Sequence, residues 1–70
     1  MHNEIKYAHH EMDPVLMRGI ETLIFINGHW QEMSYALAFS EAKLMTKDDF
    51  YKAFGTIADH LPPNAWTLNP

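Results

Sequence analysis

Cysteine is absent from the 70 residues of the chain, and glycine is scarce. Without cysteine the fold has neither a disulfide framework nor a thiolate metal site. The three glycines, at positions 19, 28 and 55, are too far apart to form a loop that cradles phosphate. Leu23–Gln31 and Met33–Ser40 are free of charge, but a membrane span requires about 20 apolar residues. We therefore expect no membrane partner and no cofactor.

Positive charge is also in short supply. Five lysines and arginines stand against nine aspartates and glutamates, which gives a formal net charge of −4. A nucleic-acid partner requires a basic surface to bind phosphate, so this balance argues against nucleic acid. The hydrophobic share of 47% and the charged share of 20% are typical of a globular protein.

The length permits one small domain. A chain of this size buries only about 60% of its unfolded surface, so tight packing, a metal or a second chain must add stability. We expect a globular domain over residues 13–70 and a flexible polar arm over residues 1–12. Because Met1–Asp13 lacks the apolar segment that signal peptides contain, we expect a cytoplasmic protein.

From residue 13 onward the sequence has the spacing of an amphipathic helix. Asp13 suits the N-cap position, and Pro14 suits the first helical position, where its missing N–H costs nothing. Four apolar residues then recur on one helical stripe: Leu16, Ile20, Leu23 and Ile24. Gly28 can adopt the left-handed conformation that follows a helix end. This pattern predicts a helix over residues 14–26.

Two further helices complete the predicted fold. Residues 29–45 are rich in strong helix formers such as alanine, leucine, methionine and glutamate. Thr46 can cap the backbone N–H of Asp49, and apolar residues at helical spacing follow as far as Pro62. The sequence therefore predicts helices over residues 29–45 and 47–61, and an all-α fold in which three helices form a compact bundle.

The segment around Asn27-Gly28 also supports a different fold. Ile24-Phe25-Ile26 is β-branched and aromatic, and Asn-Gly is the strongest signal for a two-residue hairpin turn. Such a hairpin pairs Ile26 with His29, Phe25 with Trp30 and Ile24 with Gln31, although apolar and polar residues alternate poorly along it. The alternative is therefore an α+β fold, with a hairpin within residues 20–35 and one or two helices packed on it.

The polar N-terminal segment carries the only candidate metal ligands. His9, His10 and Glu11 have the side chains that bind Zn²⁺, Ni²⁺ or Cu²⁺. Adjacent histidines point in different directions in any regular structure, however, and no H-E-x-x-H pattern is present. A solvated arm that binds metal only weakly is the competing interpretation.

Catalytic groupings are absent from the sequence. A nucleophile requires a base and an orienting group within reach, and no serine or threonine here lies near a glycine-rich elbow. Asp48 and Asp49 are adjacent acids, but at a helix start such acids usually complement the helix dipole. We therefore expect a protein that is not an enzyme.

The nine aromatic residues are many for so small an interior. Aromatic and methionine side chains are enriched at protein interfaces, where rigid rings fill pockets. Five rings do not fit one helical seam and are our candidates for a partner surface: Trp30, Tyr35, Phe39, Tyr51 and Trp66. The predicted function is a small binding protein that modulates or inhibits a larger protein, or that pairs with itself as a dimer. The alternatives are a metal-binding or metal-sensing protein and an accessory subunit of an enzyme.

Overall fold

The computed structural model describes residues 4–66 and shows an α+β fold built on one antiparallel sheet of five strands. The strands are β1 (Lys6–His10), β2 (Asp13–Arg18), β3 (Glu21–Ile26), β4 (His29–Glu32) and β5 (Lys43–Met45). Two short helices, α1 (Tyr35–Glu41) and α2 (Lys47–Phe54), are followed by a 3-10 helix over Ile57–His60.

Three tight turns connect the first four strands. Each turn has two residues: Glu11-Met12, Gly19-Ile20 and Asn27-Gly28. Asn27 and Gly28 both have positive φ, at 56° and 85°, as a type I′ turn requires. Because such turns match the twist of the flanking strands, β1 to β4 form a continuous meander.

The strand order is β4-β3-β2-β1-β5, so the chain crosses the sheet after β4. Helix α1 makes this crossing and delivers β5 to the opposite edge, beside β1. The hydroxyl of Ser34 accepts the backbone N–H of Leu37 at 3.3 Å and fixes where α1 begins.

One face of the sheet, the α1 face, is covered by α1. Strand pairing places Ala8, Val15 and Ile24 side by side on this face. All three are buried, and together with Met17 they pack around Ala38 of α1. Small residues at positions 38 and 42 of the chain allow the helix to lie close to the sheet.

The other face, the α2 face, is covered by α2 and the 3-10 helix. Leu16 lies between Leu23 and Tyr7 on this face, and both leucines are buried. Phe50 of α2 is also buried, with its ring centroid 5.1 Å from that of Tyr7. The sheet is therefore buried on both faces, which gives the small chain two apolar layers.

The prediction of an all-α helical bundle is wrong, and the α+β alternative describes the fold. The predicted helix over residues 14–26 is the β2–β3 hairpin. Strands covered on both faces consist of continuous apolar runs, and such short runs cannot be distinguished from a buried helix by periodicity. The pairs expected for the alternative hairpin, from Ile24–Gln31 to Ile26–His29, are all observed.

The helices and strands in the rest of the chain also begin or end at residues other than those predicted. Residues 29–45 contain β4, α1 and β5 rather than one helix. The helix that begins at Lys47 starts as predicted but ends at Phe54, where Gly55 follows as the C-cap residue with a φ of 76°. Lys6–His10 belong to β1, which pairs with β2 and β5, and so form an inner strand instead of part of an arm. The first three residues of the predicted arm lie outside the described part of the chain.

Candidate binding groove

An apolar groove opens on the α1 face, between α1 and the strands at the β5 edge of the sheet. Its volume is about 540 Å³, within the roughly 300–1,000 Å³ that is usual for ligand-sized sites. Tyr35, Ala38, Phe39 and Ala42 line the helix side of the groove. Met17 and Leu44 line the sheet side.

The groove exists because α1 is too small to cover the whole face. An α-helix is about 10 Å wide, whereas five strands at a spacing of about 4.8 Å span roughly twice that width. A single row of paired residues crosses the sheet through Ile24, Val15, Ala8 and Leu44. The first three are buried under α1, but Leu44 is 67% exposed. Burial therefore stops between β1 and β5.

Two aromatic rings form the helix rim of the groove. Tyr35 and Phe39 are one turn apart on α1, with ring centroids 5.9 Å from each other. Tyr35 is 39% exposed and Phe39 is 74% exposed. A monomer gains little by placing a phenylalanine ring in water beside an open apolar groove, so this pair is the aromatic feature of the molecule that packing does not explain.

Two charged residues belong to the lining of the groove. Lys6 and Glu4 both line the groove and are both exposed. Within residues 4–66 neither side chain has an ion-pair partner. The groove thus combines an apolar surface with one cation and one anion, and its own formal charge is zero.

Three of the five predicted partner-binding rings pack against the protein itself. The ring of Trp30 lies edge-on to that of Phe25, with centroids 5.2 Å apart, and its Nε1 donates to the carbonyl oxygen of Ile57 at 3.4 Å. Trp66 is half-buried beneath Arg18, whose guanidinium carbon is 5.6 Å from the ring centroid. These contacts attach the C-terminal segment to the α2 face.

Tyr51, the third such ring, belongs to a cluster on α2. Its hydroxyl donates a 2.6 Å hydrogen bond to Asp59, and its ring centroid is 6.1 Å from that of Tyr7. The bond to Asp59, then burial, then the negative charge of Asp59 raise the pKa of Tyr51 to about 12. The hydrogen bond from this phenol to Asp59 joins the 3-10 helix to α2.

The predicted metal ligands do not converge. His9 and His10 are consecutive in β1 and so lie on opposite faces of the sheet. The Nδ1 of His9 is 2.9 Å from the carbonyl oxygen of Glu11, whereas the Nε2 of His10 is 3.1 Å from a carboxylate oxygen of Glu41. In the described part of the chain, no three His, Asp or Glu side chains are arranged to hold a metal ion.

Tyr35 and Phe39 stood out in the sequence by residue type, whereas the sheet side of the groove was not predicted. Leu44 fell within the predicted helix over residues 29–45, and Lys6 within the predicted arm over residues 1–12. No local pattern identifies either residue, because the groove forms only when the chain crosses the sheet and β5 pairs with β1.

No helix among the described residues is long and apolar enough to span a membrane. Comparison with protein-family models, with curated proteins and with solved structures gave no significant match to the chain. The fold and the groove therefore define the protein only as a small α+β domain with an open apolar groove at one sheet edge.

Proposed function

We propose that the protein is a non-enzymatic binding module that holds another protein chain in the groove between α1 and β5. The observation that carries this proposal is the exposed apolar lining of the groove, formed by Tyr35, Phe39 and Leu44. Aromatic side chains on a rigid helix beside a concave apolar surface are typical anchors of protein interfaces. The fold has no disulfide and so requires no oxidising compartment, and we propose the cytoplasm as its location.

The proposal concerns two of the five rings that the sequence suggested. Tyr35 and Phe39 can contact a partner without loss of the packing that stabilises the domain. Trp30 and Tyr51 already make hydrogen bonds within the protein. Binding through Tyr35 and Phe39 therefore requires no local unfolding, and the groove is accessible as the domain stands.

Site-specific photocrosslinking in cells of the source organism tests this function. A photoreactive phenylalanine analogue at position 39 should give a covalent adduct with a protein chain. The same analogue at Met12, which is 84% exposed on the β1–β2 turn, is the matched control and should give none. Leu44→Glu should reduce the adduct at position 39. Equal adducts at both positions, or none at position 39, contradict the proposal.

A further inference from the structure

We infer that the chain that occupies the groove is a second copy of this protein, in a symmetric dimer in which each Phe39 enters the groove of the other copy. The inference rests on the binding function proposed above. It adds the identity of the partner, and it follows from the shape and the charge of the surface around the groove.

The shape of this surface is self-complementary. A two-fold symmetric interface places the same patch of both copies in contact, so the patch must contain both the protruding group and the cavity that receives it. Phe39 is 74% exposed at the rim, and the groove of about 540 Å³ lies directly beside it. In the inferred dimer a two-fold axis passes through the rim, and each ring lies in the partner's groove, which Met17 and Leu44 line.

The charge of the surface is self-complementary as well. Lys6 and Glu4 carry opposite charges, are two residues apart in the chain and both line the groove. A two-fold axis can place Lys6 opposite the partner's Glu4 and, by symmetry, Glu4 opposite the partner's Lys6. A strongly basic or strongly acidic partner would face one like charge in this groove, whereas a second copy faces none. Lys6 and Glu4 together contribute nothing to the net charge of −4.

Self-association also compensates for the small core of the domain. A 70-residue chain without disulfides has a small core, and burial of the exposed rings in a dimer adds apolar contact that the monomer lacks. Dimer formation covers the exposed part of the α1 face without any change in the sheet.

Two charge-reversal variants, one at Lys6 and one at Glu4, test the dimer. Lys6→Glu and Glu4→Lys each replace attraction by repulsion at two symmetric sites, and each should weaken self-association about tenfold. An equimolar mixture of the two variants restores both pairs in a heterodimer. Native mass spectrometry of the mixture should therefore show the heterodimer at well over twice the amount of either homodimer, which is the ratio that random pairing alone would give. A statistical mixture of dimers overturns the proposed ion pairs and with them the proposed arrangement.

Sedimentation equilibrium measures how much the apolar contact of Phe39 contributes to dimer formation. The wild-type chain should sediment as a dimer that dissociates on dilution, and Phe39→Ala should weaken association about thirtyfold or more, whereas Met12→Ala should not change it. Circular dichroism verifies that both variants are folded. A wild-type chain that is monomeric at every concentration overturns the dimer. If that monomer still gives photoadducts of another mass at position 39, the binding function stands and only the identity of the partner is wrong.

Discussion

Ala8 and Leu44 are paired directly across strands β1 and β5, yet Ala8 is completely buried and Leu44 is 67% exposed. Both side chains point to the α1 face, and α1 covers only the first. One step across the sheet therefore separates the core from an open apolar surface. This boundary is the basis of the binding groove.

A leucine of the core and the exposed leucine of the groove should differ in their effect on folding. Leu16→Ala removes a fully buried side chain and should lower the free energy of unfolding by about 2–5 kcal/mol. Leu44→Ala makes the same chemical change at the groove and should cost about 0.5 kcal/mol or less. Urea unfolding, at a protein concentration too low for self-association, measures both. A large loss of stability in Leu44→Ala would mean that Leu44 belongs to the core.

The start of α2 depends on the Thr46 side chain. Its Oγ1 accepts the backbone N–H of Asp49 at 3.0 Å, and without it that donor loses its partner in the first turn. Thr46→Ala should therefore lower stability by about 1 kcal/mol. Thr56 precedes the 3-10 helix but makes no capping hydrogen bond, so Thr56→Ala is the matched control. Equal thermal unfolding midpoints for the two variants would show that the cap contributes nothing.

Removal of the Asp59 carboxylate should change the titration of Tyr51. Asp59→Ala removes both the hydrogen bond and the negative charge that raise the pKa of Tyr51, so this pKa should fall from about 12 toward the ordinary 10.0. Carbon NMR of the labelled tyrosine ring follows the titration. An unchanged titration of Tyr51 in Asp59→Ala would contradict the observed pairing.

The raised pKa of Tyr51 also makes the stability of the folded protein depend on pH. The folded state holds the Tyr51 proton more tightly than the unfolded chain, whose tyrosine titrates near 10.0. The contribution of this phenol to stability is therefore complete below pH 10 and is lost as the pH rises through about 12. In Asp59→Ala, stability should decline less over this interval, provided that both proteins are measured by the same urea titration.

Local signals in the sequence identified some elements correctly. Thr46 with Asp49 marked the start of α2, and Asn27-Gly28 gave the register of the β3–β4 hairpin in the alternative interpretation. These features, a helix cap and a two-residue turn, depend only on residues that are close in the chain. They can therefore be predicted without knowledge of the rest of the fold.

Other elements depend on partners that are distant in sequence. Strands β2 and β3 are apolar on both faces because α1 and α2 cover both sides of the sheet, and this removes the alternation that marks a strand. Pro14 was interpreted as the first residue of a helix, but it pairs with His9 near the β1–β2 turn. The groove could be predicted only in part: Tyr35 and Phe39 stood out by residue type, whereas Lys6 and Leu44 acquire their positions from the pairing of β1 with β5.

Amide NMR spectra recorded over a dilution series test directly whether the groove is the surface of self-association, because they report on each non-proline residue of the unmodified chain. If the dimer forms through the groove, concentration-dependent shifts should be confined to residues 4–6, 17–19 and 35–44. The amides of the α2 cluster around Tyr51 should not shift. Spectra that do not change on dilution, or shifts centred on Trp30 and the β4 edge, would contradict the assignment of the groove as the surface of self-association.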